Sequence, residues 1–301
     1  MKSEIKKILL PTDFSLKSNN ALKVAAKMAQ RHDAKLIVTH VIYTYYLIDR
    51  GGKQVIGAQT IQQSTERAKM KLDRLKDHFS EKYNLQIETK ISTQNIVETI
   101  NESIETDDID LVIVGISGKQ SMKHFFLGSN SYNILLHSNC SVLLIPEQFN
   151  KTGFKNILFP VRVNHELHQK ADLSILLSKK NSGKIKLLGV GKPNPIVKIK
   201  KAFLEMQKNL YMKSANYSSE FKISEDCATI IAEIANKKNS DIIMLADQDE
   251  NSWKSFMAEN FFKKMINETE IPLFIVKSKF KKIKNKTERI TNYDFTMPIP
   301  G

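Results

Sequence analysis

The sequence predicts an α/β protein made of two tandem copies of a doubly wound, five-stranded parallel sheet. Three observations predict it. Short, wholly apolar strands alternate with helical patterns, as parallel strands covered on both faces require. The chain has 301 residues, more than one domain of ordinary size. Its second half also echoes the first: Asn156-Ile-Leu-Phe-Pro160 repeats Lys7-Ile-Leu-Leu-Pro11, and Asp241-Ile-Ile-Met-Leu-Ala246 repeats Asp110-Leu-Val-Ile-Val-Gly115.

Taken in order, Ile5 to Leu10 reads as a strand that Pro11-Thr12-Asp13 ends, and Ser15 or Asp13 can cap the helix that follows. That helix carries Leu22, Ala25, Met28 and Ala29 at helical spacing, and Ala34 to Ile42 is a second strand. A right-handed crossover makes the two strands parallel neighbours. Residues 43–60, with Gly51-Gly52, Gly57 and three tyrosines, read as a connection or as a mobile loop over the site. Ile61 to Tyr83 is a long charged helix, Leu85 to Ile91 a third strand, and Ile96 to Ile104 a helix. Ile109 to Val114 is the fourth strand, Asn130 to His137 a helix, and Ser141 to Pro146 the fifth strand. The echoes split the chain into 1–149, a shorter second copy at 150–278, and a basic tail at 279–301.

The residues that carry chemistry follow the fourth strand. Val114 precedes Gly115-Ile-Ser-Gly118, nine residues follow, and then come Gly128 and Ser129, with Asn130 opening a helix. Glycine lets an oxyanion approach the backbone with no Cβ in the way, and a helix N-terminus offers unpaired N–H groups and a favourable dipole. Lys119 and Ser117 lie in the same loop within reach of phosphate. A loop that merely turns the chain is the alternative reading. The spacing matches neither the P-loop pattern nor the tight dinucleotide fingerprint.

Gly-x2-Gly-x9-Gly-Ser resembles the signature of ATP-binding universal stress proteins, firmly over 5–146 and weakly over 155–277. The resemblance implies a Rossmann-like fold of the adenine nucleotide alpha hydrolase-like kind, with ATP and Mg²⁺ at the C-terminal edge of the sheet. It also implies that Asp13, after Pro11 and Thr12, contacts the adenosine moiety, and that the backbone of Val41 reads the adenine. Homodimers, or internal pairing of the two copies in tandem members, are implied too. For Asp13, capping of the first helix remains the alternative.

The second copy departs from the signature. Ala246, Asp249, Glu259 and Asn260 stand where Gly115, Gly118, Gly128 and Ser129 stand, and Val161 and Arg162 replace Thr12 and Asp13. A carboxylate ~4 Å from a phosphate costs about 4 kcal/mol at an effective dielectric near 20. That is roughly a thousandfold in affinity. One competent site per chain is therefore expected, in the first copy.

The loop shows no carboxylate placed to orient water, and Gln120 is the nearest candidate, with a solvated role as its alternative. The reading is a nucleotide-dependent stress-response regulator rather than an enzyme, with slow hydrolysis as the residual activity and an unknown regulated protein as partner. Its rival is an interaction module that binds nucleic acid or an anionic surface through the second half. Residues 1–150 carry 19 basic and 16 acidic side chains and 151–301 carry 27 and 16, so the net charge of +14 is concentrated there. Cys140 and Cys227 lack metal or redox spacing and read as buried thiols, and His165 with His168 lacks a third ligand. No apolar run reaches membrane-spanning length, which makes a cytoplasmic location the default expectation.

Overall fold

The computed structural model describes residues 4–42, 47–48, 54–55, 58–117, 128–162, 167–194, 196–246 and 261–277. The first copy runs β1 (Lys7–Pro11), α1 (Leu16–His32), β2 (Lys35–Val41), β3 (Leu47–Ile48), β4 (Gln54–Val55), α2 (Ala58–Tyr83), β5 (Ile87–Ser92), α3 (Ile96–Thr106), β6 (Leu111–Ile116), α4 (Ser129–His137) and β7 (Ser141–Pro146). The second runs β8 (Asn156–Val161), α5 (Leu167–Lys180), β9 (Lys184–Gly191), α6 (Ile196–Met212), β10 (Tyr217–Ile223), α7 (Cys227–Lys237), β11 (Ile242–Ala246), α8 (Phe261–Glu268) and β12 (Leu273–Val276).

Ten strands form one sheet in the order β10-β9-β8-β11-β12-β7-β6-β1-β2-β5. Every pair in it is parallel except β12 with β7, where Phe274 faces Leu143. Those two residues hold the same place in their copies, so the halves meet about a local two-fold through their fifth strands. Successive strand side chains go to opposite faces. On β6, Ile113 joins a core under α1, α2, α5 and α6, while Val112 and Val114 join a core under α3, α4, α7 and α8. Both cores run through both halves. Wholly buried strands are apolar for that reason, β6 throughout and β7 from Val142 onward.

The structure differs from, or decides between, the sequence-based expectations in four details. Residues 43–60 include the antiparallel pair β3–β4, and α2 begins at Ala58 rather than Ile61. Two-residue strands are too short to leave a periodic signal. β6 runs on to Ile116, so Gly115 lies inside the strand, in register with Ile145, instead of opening the loop. The N-cap of α1 is Ser15, whose side chain accepts from the Ser18 N–H, and Asp13 does not cap the helix. Both cysteines are buried thiols outside any disulfide, as their spacing suggests. Among the described residues, no helix is long and apolar enough to cross a membrane. His165, the loop from Gly118 to residue 127, Asp249, Glu259, Asn260 and the basic tail lie outside the described residues.

Candidate functional site

In the first copy the strand order reverses between β1 and β6, and open α/β sheets bind ligands at such a crevice. A cavity of 560 Å³ sits there, within the range of small-molecule sites. Pro11, Thr12, Asp13, Val41, Val114, Gly115, Gly128, Ser129 and Asn130 all line it, brought together from three strand ends and one helix start. Gly118 and Lys119, the remaining motif residues named from the sequence, lie outside the described residues, as does Gln120. Ser117 does not line the cavity.

One wall is the turn between β1 and α1. The Thr12 N–H extends the sheet by donating to the Thr39 carbonyl at 2.8 Å, and Thr12 Oγ1 accepts from the Phe14 N–H at 3.0 Å. Phe14 takes a left-handed conformation with φ 61°, which swings the chain round and leaves Asp13 at the lip. Asp13 Oδ1 accepts from the Ser15 N–H at 3.0 Å and from the Ser15 hydroxyl at 2.5 Å. Burial would raise the Asp13 carboxyl, but these hydrogen bonds, with Ser18 and the Lys17 charge, outweigh it and hold it below the ordinary carboxylate range.

His40 reinforces the turn. Its Nδ1 lies 2.7 Å from the Thr12 carbonyl, and since a carbonyl only accepts, Nδ1 carries the proton. The ring also packs 4.6 Å from Phe14.

The opposite wall is the N-terminus of α4. Gly128 is its N-cap and supplies no side-chain hydrogen bond, so the first N–H groups have no side-chain cap. Ser131 Oγ donates to the Gly115 carbonyl at 3.4 Å and ties that end of the helix to β6. Among the described residues, a Cβ on Gly128 would meet nothing nearer than Lys17 Nζ, at 3.9 Å. Its φ of −52° suits any residue. Among the described residues, neither conformation nor packing asks for glycine at 128, whereas a close-approaching ligand would.

Gly115 differs. A Cβ there would lie 2.3 Å from the Lys17 carbonyl, so glycine is needed to seat α1 against β6, and the direct reason is packing rather than phosphate access.

Lys17 joins the two walls. Its ammonium is the one cationic group among the described lining residues, 4.0 Å from Asp13 Oδ2 and beside Gly128. Lys17, Ser18, His40, Ser64, Ile96 and Ile134 line the cavity without having been named from the sequence. Only Lys17 left a readable signal, since four residues after Asp13 places it one turn away at the head of α1.

Among the described residues, side chains occupy the corresponding place in the second copy. Arg162, at the position of Asp13, stacks 3.6 Å from the centroid of Phe261, the first residue of α8. Lys170 stands where Ala21 does, is fully buried, and donates to the Pro160 carbonyl at 2.7 Å. Side chains thus bridge strand end to helix start, where the first copy is open.

The universal stress protein family model matches residues 4–146. A putative universal stress protein of Staphylococcus saprophyticus is 31% identical over 154 residues, which span 48% of this chain and 88% of that protein. A universal stress protein of Methanocaldococcus jannaschii is 29% identical over 153 residues, 46% of this chain and 94% of that one. Among solved structures, a universal stress protein from Archaeoglobus fulgidus has a TM-score of 0.72 at 17% identity, covering 90% of this chain and 98% of its own. That likeness is one of fold, and it extends over both halves.

Proposed function

Because the chain belongs to the universal stress protein family, we propose that its first copy binds ATP with Mg²⁺ in the cavity at the ends of β1, β2 and β6. Occupancy then regulates the shape or partners of the protein. The observation that carries this reading is Gly128, a glycine that no contact among the described residues requires, at a helix start with no side-chain cap and beside an ammonium. The α4 N–H groups, Ser129 and Lys17 receive phosphate oxygens, and Gly118 and Lys119 are assigned to the same phosphates on the sequence motif alone. Asp13, kept ionised, accepts from ribose or the adenine amine, and the backbone at Val41 meets the base.

The reading assigns residues 1–149 to a competent nucleotide domain and 150–278 to a lapsed one whose entrance Arg162 and Phe261 occupy. Pairing of β7 with β12 supports internal association of the copies, so a homodimer would use another face.

Calorimetric titration of the full chain with MgATP is expected to saturate at one nucleotide, and Gly128→Asp to remove binding by placing a carboxylate among the phosphates. Two equal sites, or none, would overturn the reading. Steady phosphate release well above background, lost in Gly128→Asp, would make the protein an ATPase instead.

A further inference from the structure

On α6 the charge excess of the second half meets exposed apolar side chains. Val197, Leu204, Tyr211 and Met212 are 77%, 61%, 77% and 72% exposed. Val197, Leu204 and Tyr211 are seven residues apart, so each lies two turns from the next on one stripe of the helix. Exposed Lys198, Lys200, Lys201 and Lys208 surround the stripe, and Glu205 is the one acidic residue of the helix. The core does not use this face: α6 buries Ile199, Ala202, Phe203, Met206 and Leu210 on its other side.

The repeat supplies an internal comparison. α2 occupies the same place in the first copy, between second and third strands. Its outer face intersperses Glu66, Asp73 and Asp77 with Arg67, Lys69 and Lys76, and Met70 is its one large exposed apolar side chain among the described residues. α2 presents an ordinary solvated face and α6 does not, so neither the fold nor its solubility demands the α6 pattern. Ile223 is also exposed, at the end of β10, the outermost strand on that flank.

We propose that this face of α6 docks on an anionic lipid surface. A single convex helix with apolar side chains between lysines suits a plane of headgroups, into which Leu204 and Val197 dip while Tyr211 sits at the boundary. The cations are all lysines, point charges matched to a diffuse anionic layer; the helix has no arginine for bidentate recognition of one phosphate. Nucleic acid would use the lysines but not the valine, leucine and methionine. The inference stands apart from the nucleotide site.

The test is flotation of the full chain with vesicles of phosphatidylcholine, alone or mixed with phosphatidylglycerol. Binding is expected to the mixed vesicles only, and to fade as added salt shortens the screening length from about 10 Å at 0.1 M toward about 3 Å at 1 M. Each lysine near such a surface is worth about 1 kcal/mol, or fivefold. Lys201→Glu with Lys208→Glu should therefore lower partitioning at least ~25-fold, and Leu204→Ser with Tyr211→Ser should lower it too. These side chains are exposed, so the circular dichroism of both variants should match the parent. Absence of binding at low salt overturns the proposal, as does binding unchanged in both variants or capture by acidic protein with vesicles ignored.

Discussion

Gly115 and Gly128 read alike in the sequence, yet the chain needs them for different reasons. Gly115→Ala drives a methyl into the Lys17 carbonyl, and overpacking of this kind costs about 1–3 kcal/mol. Gly128→Ala meets no described atom nearer than 3.9 Å and should cost no more than about 1 kcal/mol, the loss of a glycine N-cap. Urea denaturation is expected to show that contrast. Titration with MgATP should show the converse, with Gly128→Ala weakening affinity at least ~10-fold because its methyl occupies the phosphate approach. Equal destabilisation by the two substitutions would refute the separation.

His32 offers a second test at this scale. Burial, with Lys180 and Arg31 nearby, lowers its pKa to about 4, and Nε2 has no partner among the described residues. The unfolded chain therefore takes up a proton near pH 6.5 that the folded chain refuses until about pH 4. Stability is complete above pH 6.5 and falls through that window, by about 2 kcal/mol at pH 5. Denaturation midpoints at pH 7 and 5 should differ accordingly, and His32→Gln should flatten the difference.

At the scale of elements, α4 is held at both ends by groups from elsewhere in the chain. Its N-terminus faces the cavity, and its C-terminus receives Lys277, which arrives from the end of β12. Lys277 Nζ donates to the Leu135, Leu136 and Ser138 carbonyls at 2.5, 3.3 and 3.1 Å. A cation there opposes the negative end of the helix dipole. Lys277→Met keeps the apolar stem but leaves those carbonyls short of a donor, at about 1–3 kcal/mol. A lower denaturation midpoint with unchanged circular dichroism is expected; an unaltered midpoint would show that water replaces the ammonium freely.

The helix was legible from Asn130 to His137 because its period is local. Its cap was not, because the lysine lies 142 residues from Leu135 in the chain. The cavity divides the same way. Motif residues at strand ends and at the head of α4 could be named from spacing, whereas His40 and Ser64 enter only when β2 and α2 are packed beside the turn.

At the scale of the whole molecule, the tandem repeat was readable because both copies keep the same apolar strands in the same order. The joint between them was less so, since a buried central strand and a buried edge strand look alike in sequence. β7 is apolar from Val142 to Ile145 and fully buried, although it is the last strand of its own copy; β12 covers it. Cutting the chain after residue 149 would uncover that edge, and with it a row of unpaired N–H and C=O groups flanked by leucines. The fragment can satisfy them by pairing β7 with β7 of a second fragment, antiparallel about Leu143, because the joint in the intact chain already has that two-fold geometry. Sedimentation should find the 1–149 fragment dimeric or associated, and Leu143→Lys should shift it toward monomer, because Leu143 is the position that faces itself and the substitution places like charges directly across the pair. A fragment that stays monomeric and soluble would mean that β7 tolerates water. The second copy would then be dispensable to the fold of the first, and its retention would have to be explained by its own surface, α6 included.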